Sequence, residues 1–460
     1  MIILDNKLRV PAGLVTKAML DACTFPNPEF AKLERLGKWT GNCPRVIKAY
    51  ERDGDMVLFP RGALEFLPPC GLQETLVDDL VAESSSPVSL RPYQTECVDM
   101  MIRAENGVAC MPCGAGKTRV GCAVVGRLGV KTLILVHTNE LRSQWVQAIT
   151  DLIDGQSAHV RTVQEMVNTV GDEDTFGCVI LDEAHHCPAK TFRDVISRFK
   201  ARYLFGLTAT PERADGLTPL MHLYIGPIVY QVRHEELIRD GYLIKPTIER
   251  VYTSSLSVED DYAKILDDLV SDPVRNAQII RLVTGHNRKS ILILSNRIDH
   301  CEALASDMRA LGLAAEAVTS RTPKKQRVEN MRRFRDGELR IVCATSLADE
   351  GLDVARLEQV VLALPTRSKG RTIQRLGRLM RPFPGKAQPV LCDLIDSRIP
   401  MLRYQYQARR RAYREVFGVI DGATELGRPE GARRPVEGAA SNGSQNNGEP
   451  GSFALRHTVY

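Results

Sequence analysis

The sequence predicts an α/β protein of two tandem lobes, each a parallel sheet covered by helices. A small accessory domain precedes them and a disordered tail follows. Three observations carry this prediction. Short apolar runs alternate with helical patterns in two successive blocks of the 460-residue chain, the pattern of strands buried on both faces. The stretch before them is broken repeatedly by proline, at Pro26, Pro28, Pro44, Pro60 and Pro68-Pro69. Beyond Ile420 the chain turns to Gly, Pro, Ser and Asn, too little apolar surface to offset the entropy of ordering. At roughly 150 residues per domain, such a length holds about three domains.

In chain order, residues 1–88 form the accessory domain, with Val57–Phe59 read as a strand running into the turn Pro60-Arg61-Gly62. Ser84-Ser85-Ser86-Pro87 reads as a linker. Lobe 1 spans 89–250, with strands at Gly107–Met111, Lys131–Val136, Cys178–Leu181 and Tyr203–Leu207. The polar, acidic segment 251–272 reads as an interlobe connection. Lobe 2 spans 273–420, with strands at Ser290–Leu294, Leu339–Ala344, Val360–Leu364 and Val390–Leu394, and 421–460 is the tail.

Composition narrows the class. With 25% charged and 43% hydrophobic residues, the chain is an ordinary globular one rather than collagen-like or disordered. No apolar run approaches the roughly 18 residues of a membrane span, and Met1–Asp5 lacks a signal peptide's charged start. Twelve cysteines in 460 residues are too sparse for a secreted disulfide framework, so reduced thiols in a cytosol are expected.

Gly114-Ala115-Gly116-Lys117-Thr118 lies between a strand and a helical run, as a phosphate-binding loop does. Its glycines let backbone N–H groups curl around phosphate oxygens, Lys117 reaches the outer phosphates, and the Thr118 hydroxyl meets Mg²⁺. Met111 stands where the strict pattern has its first glycine. The buried run Val179–Leu181 ends in Asp182-Glu183-Ala184-His185. Asp182 is placed to hold Mg²⁺, and Glu183 to orient or deprotonate an attacking water. His185-His186-Cys187 has no partner cluster at zinc spacing, and Cys110-Met111-Pro112-Cys113 is read as small apolar packing, with oxidation of Cys113 as a way to block the loop.

Further along stand Gly206-Leu207-Thr208-Ala209-Thr210-Pro211, Cys343–Asp353 and Gln374-Arg375-Leu376-Gly377-Arg378-Leu379-Met380-Arg381. With the phosphate loop, Asp182–His185 and Leu90-Arg91-Pro92-Tyr93-Gln94, this ordered set resembles the superfamily 2 DEAH-box DNA helicases over about residues 89–415. The closest likeness is to the XPB-type and phage UvsW-like branches. The resemblance implies RecA-like lobes, ATP and Mg²⁺ as cofactors, and DNA (single-stranded, forked or branched) as partner. It implies unwinding with 3′→5′ polarity in replication, recombination or repair, in a bacterial or phage-infected cytoplasm. Arg91 and Gln94 correspond to an adenine-recognising pair, and His185, Thr208 and Thr210 to residues coupling the γ-phosphate to the nucleic-acid path. Gly351 and Asp353 approach the nucleotide from lobe 2, Arg378 and Arg381 are arginine fingers, and Gln374 shares their segment. Thr138, Thr162, Gln164, Asn296, Arg297 and Thr345 are candidate strand grips. An Arg-Glu-Asp motif of the XPB branch is absent, Arg213-Ala214-Asp215 being its nearest counterpart, and the following region is too short for a large thumb insertion.

Two basic stretches remain open between solvated face and DNA contact. Pro323–Arg335 carries six Lys and Arg against Glu329. Arg403, Arg409, Arg410, Arg411 and Arg414 interleave with Tyr404, Tyr406 and Tyr413, for which mixed use is expected. Net charge is −7 over residues 1–270, +13 over 271–420 and −1 over the tail, so a polyanion is drawn to lobe 2 in a salt-dependent way. Rival readings are a duplex translocase or branch-migration motor with little strand separation, an RNA helicase, and a nucleotide switch. The last lacks an Asn-Lys-x-Asp guanine signature.

Overall fold

The computed structural model describes residues 1–67, 71–81, 88–153, 157–169, 171, 173–210, 215–345, 354–365 and 376–417, plus the backbone of 424–426. The proposed linker at 84–87 and nearly all of the proposed tail lie outside them.

The N-terminal domain carries β1 (Ile2–Leu4), β2 (Leu8–Pro11), α1 (Lys17–Ala22), β3 (Thr24–Pro26), α2 (Pro28–Arg35) and β4 (Val46–Lys48). Then come β5 (Glu51–Asp53), β6 (Met56–Phe59) and β7 (Leu72–Glu74). Its main sheet has the order β5-β6-β2-β1-β7, and β3 pairs with β4 apart. The domain does not stand alone. Its core of Leu8, Val10, Met19 and Phe59 continues into Leu217, Leu220 and Leu223 of lobe 1. Gly62 lies so close to the Leu223 backbone that a Cβ there would sit 2.7 Å from its carbonyl oxygen. The Arg61 guanidinium donates to the carbonyls of Ala201 and Arg202. Between the two bodies lies a cleft of about 1260 Å³, lined among others by Lys48, Tyr50, Lys190 and Asp194.

Lobe 1 contains α3 (Pro92–Ala104), β8 (Asn106–Cys110), α4 (Lys117–Leu128), β9 (Thr132–Val136), α5 (Asn139–Leu152) and β10 (Ala158–Thr162). It continues with α6 (Val163–Asn168), β11 (Cys178–Asp182), α7 (Lys190–Ile196), β12 (Tyr203–Thr208), α8 (Thr218–Ile225), β13 (Ile228–Gln231) and α9 (His234–Arg239). The sheet order β10-β9-β11-β12-β8-β13 is parallel throughout. Every residue of β9 and β11 is buried, which explains why these strands read as continuous apolar runs rather than alternating ones.

Lobe 2 contains β14 (Thr247–Tyr252), α10 (Tyr262–Ser271), α11 (Pro273–Gly285), β15 (Ile291–Leu294), α12 (Ile298–Ala310) and β16 (Ala315–Val318). After these come α13 (Lys324–Asp336), β17 (Ile341–Ala344), β18 (Gln359–Leu362), β19 (Val390–Ile395), the helix Pro400–Phe417 and β20 (Thr424–Leu426). Its seven strands follow the order β16-β17-β15-β18-β19-β14-β20, again parallel.

Two expected boundaries are corrected. The segment 251–272 is not a connection: β14 is already a strand of the second sheet, and α10 buries Ile265, Leu266 and Leu269 with Leu364, Ile399 and Leu402. The acidic residues that suggested a linker mark α10's outer face, while Asp261 caps its start by accepting from the N–H groups of Ala263 and Lys264. The lobe division therefore precedes Thr247 rather than following residue 250. Likewise, 424–426 extends the sheet on β14, inside the stretch expected to be a tail, because β14 offers an unpaired edge there.

Buried polar groups in lobe 2 set its acid sensitivity. His300, fully buried, has its Nδ1 3.1 Å from the Ser295 hydroxyl and its Nε2 2.9 Å from Asn276 Oδ1. Burial, helped by the nearby Arg275 charge, pushes this imidazole down to about 3. The unfolded chain therefore takes up a proton below its reference value of about 6.5 that the folded chain refuses, so stability is full above that pH and declines below it. His234, lowered to about 4 by burial and Lys117, acts in the same direction. His300→Gln is expected to lose roughly 2 kcal/mol less stability than the parent between pH 7 and pH 5. Urea melts across that range check this, and equal slopes for the two proteins would refute it.

Candidate functional site: a nucleotide cleft between the lobes

The phosphate loop runs from the end of β8 to the start of α4. Gly114 (φ 89°) and Gly116 (φ 86°) occupy left-handed backbone that only glycine adopts without strain. Space makes the same demand at Gly116, where a Cβ would fall 2.4 Å from Gln94 Nε2. Met111, the departure from the strict pattern, has no positive φ. It is buried beneath the loop, its sulfur 3.7 Å from Cys97 Sγ, and its carbonyl accepts from Lys117 Nζ at 3.4 Å. Packing, not loop curvature, governs that position.

Gln94 and Arg91 hold the loop from α3. The Gln94 amide donates to the Ala115 carbonyl at 2.8 Å and its oxygen accepts the Arg91 N–H at 3.0 Å, the second contact closing α3's cap. Tyr93 Oη donates to the same Ala115 carbonyl at 2.8 Å. The Arg91 guanidinium lies 5.0 Å from the centre of the Tyr242 ring. Both ends of the Gln94 amide are thus engaged inside the protein, and Arg91 and Tyr242 form the outer wall.

Asp182 and Glu183 close the end of β11. Trp145 Nε1 donates to Asp182 Oδ2 at 2.8 Å, and the Glu183 N–H to Oδ1 at 3.0 Å. Trp145 reaches this point because Gly121 has no side chain; a Cβ there would meet the indole at 2.5 Å. Sequence reading missed Trp145, whose one signal is that it is one of two tryptophans in the chain. Glu183 has φ 52° and ψ 51°, left-handed backbone that costs a non-glycine residue about 1 kcal/mol or more and marks functional turns. His185 Nδ1 lies 3.3 Å from Glu183 Oε2 and 3.2 Å from the Thr208 hydroxyl, which donates to the Thr210 carbonyl at 3.1 Å. The residues assigned to coupling therefore form one connected chain behind the carboxylate.

Burial raises the Asp182 carboxyl above its ordinary value, and adjacent Glu183 adds to this. Burial pushes Glu183 up too, but Lys117 and His185 outweigh it and hold the group well below the usual carboxylate range. The buried Asp182 and half-buried Glu183 carboxylates beside Lys117, with the Thr118 hydroxyl in α4's first turn, fit a divalent cation carrying a polyphosphate: these oxygens suit the cation, and loop N–H groups with Lys117 answer the phosphates.

Lobe 2 closes on this loop. A Cβ on Gly377 would fall 2.2 Å from Cys113 Cβ, and one on Gly114 would meet the Gly377 carbonyl at 2.9 Å and Arg381 Cγ at 3.3 Å. The Cys113 thiol feels Lys117, Glu183, Arg378 and Arg381, with burial the dominant influence raising its pKa. So the structure brings both arginines to the loop that holds Lys117. Lys386, also missed from sequence, donates to the carbonyls of Leu379 at 2.8 Å, Arg381 at 2.7 Å and Ala355 at 3.0 Å, fixing the arginine segment. Gly351, Asp353 and Gln374 lie outside the described residues.

The expected strand grips lie at or just after the carboxyl ends of parallel strands, where open α/β sheets bind ligands. Thr138 caps α5, and Thr162 shares a capping box with Glu165 on α6. Each hydroxyl accepts a backbone N–H there and keeps its own proton to donate. Gln164 and Asn296 are exposed, and Thr345 is buried after β17. Arg297 is committed within lobe 2, to Asp267 at 2.9 Å and the Ala263 carbonyl at 2.8 Å.

The basic stretches resolve differently. On α13, Arg332 is neutralised by Asp336 and Glu338 as well as Glu329, two acids that the window ending at Arg335 leaves out. On the final helix, Arg409 is buried against Asp393 at 2.9 Å, and Tyr413 donates to the same carboxylate at 2.7 Å. Arg403, Tyr404, Arg411 and Arg414 are exposed. The eleven described cysteines are free thiols, and no described helix is long and apolar enough to cross a membrane.

The family described as "Helicase conserved C-terminal domain" matches residues 274–382, and "Type III restriction enzyme, res subunit" matches 87–169 and 156–213. The chain is 28% identical over 398 residues to a protein of Sulfurisphaera tokodaii named DNA 3'-5' translocase XPB2, covering 74% of this chain and 89% of that protein. It is 29% identical over 325 residues to the DNA 3'-5' helicase XPB of Kineococcus radiotolerans, covering 64% of this chain and 57% of that protein. Among solved structures, the fold is similar to the Type ISP restriction-modification enzyme LlaBIII (TM-score 0.55, 16% identity, covering 72% of this chain and 30% of that one).

Proposed function

We propose that this chain, a superfamily 2 helicase of the XPB type, couples ATP hydrolysis to movement along DNA, with strand separation or remodelling as the outcome. The observation that carries the reading is the divided site: the loop with Lys117 belongs to lobe 1, Arg378 and Arg381 belong to lobe 2, and Gly377 seats one on the other. Turnover then requires closure, and closure alternates the spacing of two strand-gripping surfaces. Lys117 and the loop N–H groups hold the phosphates, Thr118 and Asp182 hold Mg²⁺, Glu183 orients the attacking water, and the two arginines take up charge developing on the transferred phosphoryl group. A Mg²⁺ held by these residues would supply neutralisation of phosphate charge. The family resemblance assigns Gly351, Asp353 and Gln374 to the nucleotide from lobe 2, and Arg91 with Gln94 to the adenine. His185, Thr208 and Thr210 relay the state of Glu183 towards the strand. Thr138, Thr162, Gln164, Asn296 and Thr345 lie along its path, whereas Arg297 is held within lobe 2; phosphate contacts of this kind ignore sequence.

The finer assignments are 3′→5′ polarity, forked or branched DNA as the preferred substrate, and a part in replication, recombination or repair. They rest on what the relatives are named for and on the basic lobe 2. The decisive measurement is ATP turnover with single-stranded, duplex, forked and four-way-junction DNA and with RNA, beside strand displacement from 3′- and 5′-tailed duplexes. DNA should stimulate turnover and RNA should not. Arg381→Ala should cut stimulated kcat by about 10³ or more while ATP still binds within roughly tenfold. Stimulation by RNA alone, or an unaffected Arg381→Ala protein, refutes the proposal. Triplex displacement without tailed-duplex unwinding would select the translocase form, which the short region after Thr210 favours.

A further inference from the structure

Away from the nucleotide cleft, one group of ligand-type side chains has no part in the chemistry above. Glu249 on β14 stands directly opposite Cys392 on β19 in the parallel register, so both side chains leave the same face of the sheet. His286, the residue that ends α11, reaches over them. Its Nε2 lies 3.1 Å from Glu249 Oε2, and Cys392 Sγ lies 3.4 Å from that same oxygen. All three donor atoms fall within 4.8 Å of one another. Glu249 and Cys392 are buried, while the His286 side chain is 27% exposed and leaves a route from solvent.

We propose that Glu249, His286 and Cys392 form a zinc site in lobe 2, with water as the fourth ligand. Tetrahedral zinc with bonds of roughly 2.0–2.3 Å sets its ligand atoms about 3.2–3.8 Å apart; the Cys392–Glu249 edge of 3.4 Å already has that length, and the His286–Glu249 edge of 3.1 Å falls just short of it. Nitrogen, thiolate and carboxylate donors together select zinc over magnesium or calcium, which take oxygen. The surroundings fit a metal-bound sulfur. Gln359 Nε2, fully buried, donates to Cys392 Sγ at 3.3 Å, the kind of N–H contact that stabilises a thiolate. Arg340 donates to the carbonyls of Arg288 at 2.8 Å and His286 at 3.4 Å, pinning the segment that carries the imidazole.

Without metal the trio closes as a hydrogen-bonded chain, the thiol and the imidazole both donating to Glu249. On binding, an S–Zn bond replaces the S–H bond and that proton leaves to solvent, while the imidazole proton moves from Nε2 to Nδ1 by exchange with water, freeing the Nε2 lone pair for the metal; thiolate and carboxylate then balance the dication. Because β14 is the first strand after the interlobe crossing, such a bond would fasten that crossing to β19 and α11.

The test uses the full chain, stripped with chelator and free of nucleotide, titrated with Zn²⁺ and separately with Co²⁺. The expected result is one Zn²⁺ per chain with Kd at or below about 1 µM, a thiolate-to-cobalt charge-transfer band, and a thermal midpoint that rises with Zn²⁺. His286→Ala and Cys392→Ser should each weaken binding by about tenfold or more. Cys113→Ala, which breaks the rival C-x-x-C pair, should bind as the parent does. Should the core substitution at Cys392 fail to fold, His286→Ala, at a half-exposed residue, still decides the matter. Absence of binding below about 100 µM, a cobalt spectrum without the thiolate band, or undiminished affinity in His286→Ala would overturn the assignment.

Discussion

Replacing Glu183 by Gln is expected to lower kcat for ATP by about 10²–10⁴ while leaving ATP and DNA affinity nearly unchanged. The substitution keeps the side chain's shape and its contact with His185, and removes only the charge that orients the attacking water. Lys117 and His185 outweigh burial and hold this carboxyl well below its ordinary range, so Glu183 is ionised across the whole working pH. Acid inactivation near neutrality would then come from other groups, and the acid limb of the parent's kcat profile should survive in the residual activity of the variant. A variant whose kcat stays within fivefold of the parent would refute this role.

Arg275→Ala is expected to destabilise lobe 2 by about 3–5 kcal/mol, a large part of the roughly 5–15 kcal/mol that holds a domain folded. The Arg275 side chain is 0% exposed and Asp396 1%. The guanidinium grips that carboxylate through two bonds, of 3.0 and 3.2 Å, and also donates to the Ala363 carbonyl. Thr253 donates to the same carboxylate at 2.7 Å. Among the described residues, truncation leaves the buried carboxylate with the Thr253 hydroxyl and the field of Arg409, and the cost is that of a largely uncompensated charge rather than of a lost contact. The double substitution Arg275→Met, Asp396→Leu should recover most of the loss, since apolar replacement of both partners removes the desolvation penalty together with the attraction. Urea midpoints of the single and double variants check both statements. A loss below about 1 kcal/mol for Arg275→Ala would show that water reaches the pair.

The nucleotide site was legible from sequence because its parts are local. Glycines with left-handed backbone, a lysine at a helix start and carboxylates ending a buried strand each declare themselves within a few residues. The strands on either side were legible for a related reason: a strand covered on both faces is apolar throughout, so β9, β11 and β15 stand out as runs. Other features were hidden. Trp145 and Lys386 act on residues 37 and five or more positions away, and no local pattern announces such partners. The acidic surface of α10 masked the three apolar residues that make it part of lobe 2. Arg409 and Tyr413 resembled a nucleic-acid surface until Asp393, on a separate strand, proved to be their partner.

By itself, then, the sequence determined the order of the elements, the two-lobe architecture and the local pattern of the candidate nucleotide site, all of which depend on backbone needs and burial periodicity along the chain. Only the tertiary structure decided which charges face solvent and which are neutralised inside, where lobe 1 ends, and that Glu249, His286 and Cys392 meet. Those outcomes depend on distances between residues far apart in the chain. Charge interactions fall off over a few ångströms in a folded protein, so the fold, not the composition, sets their sign and strength.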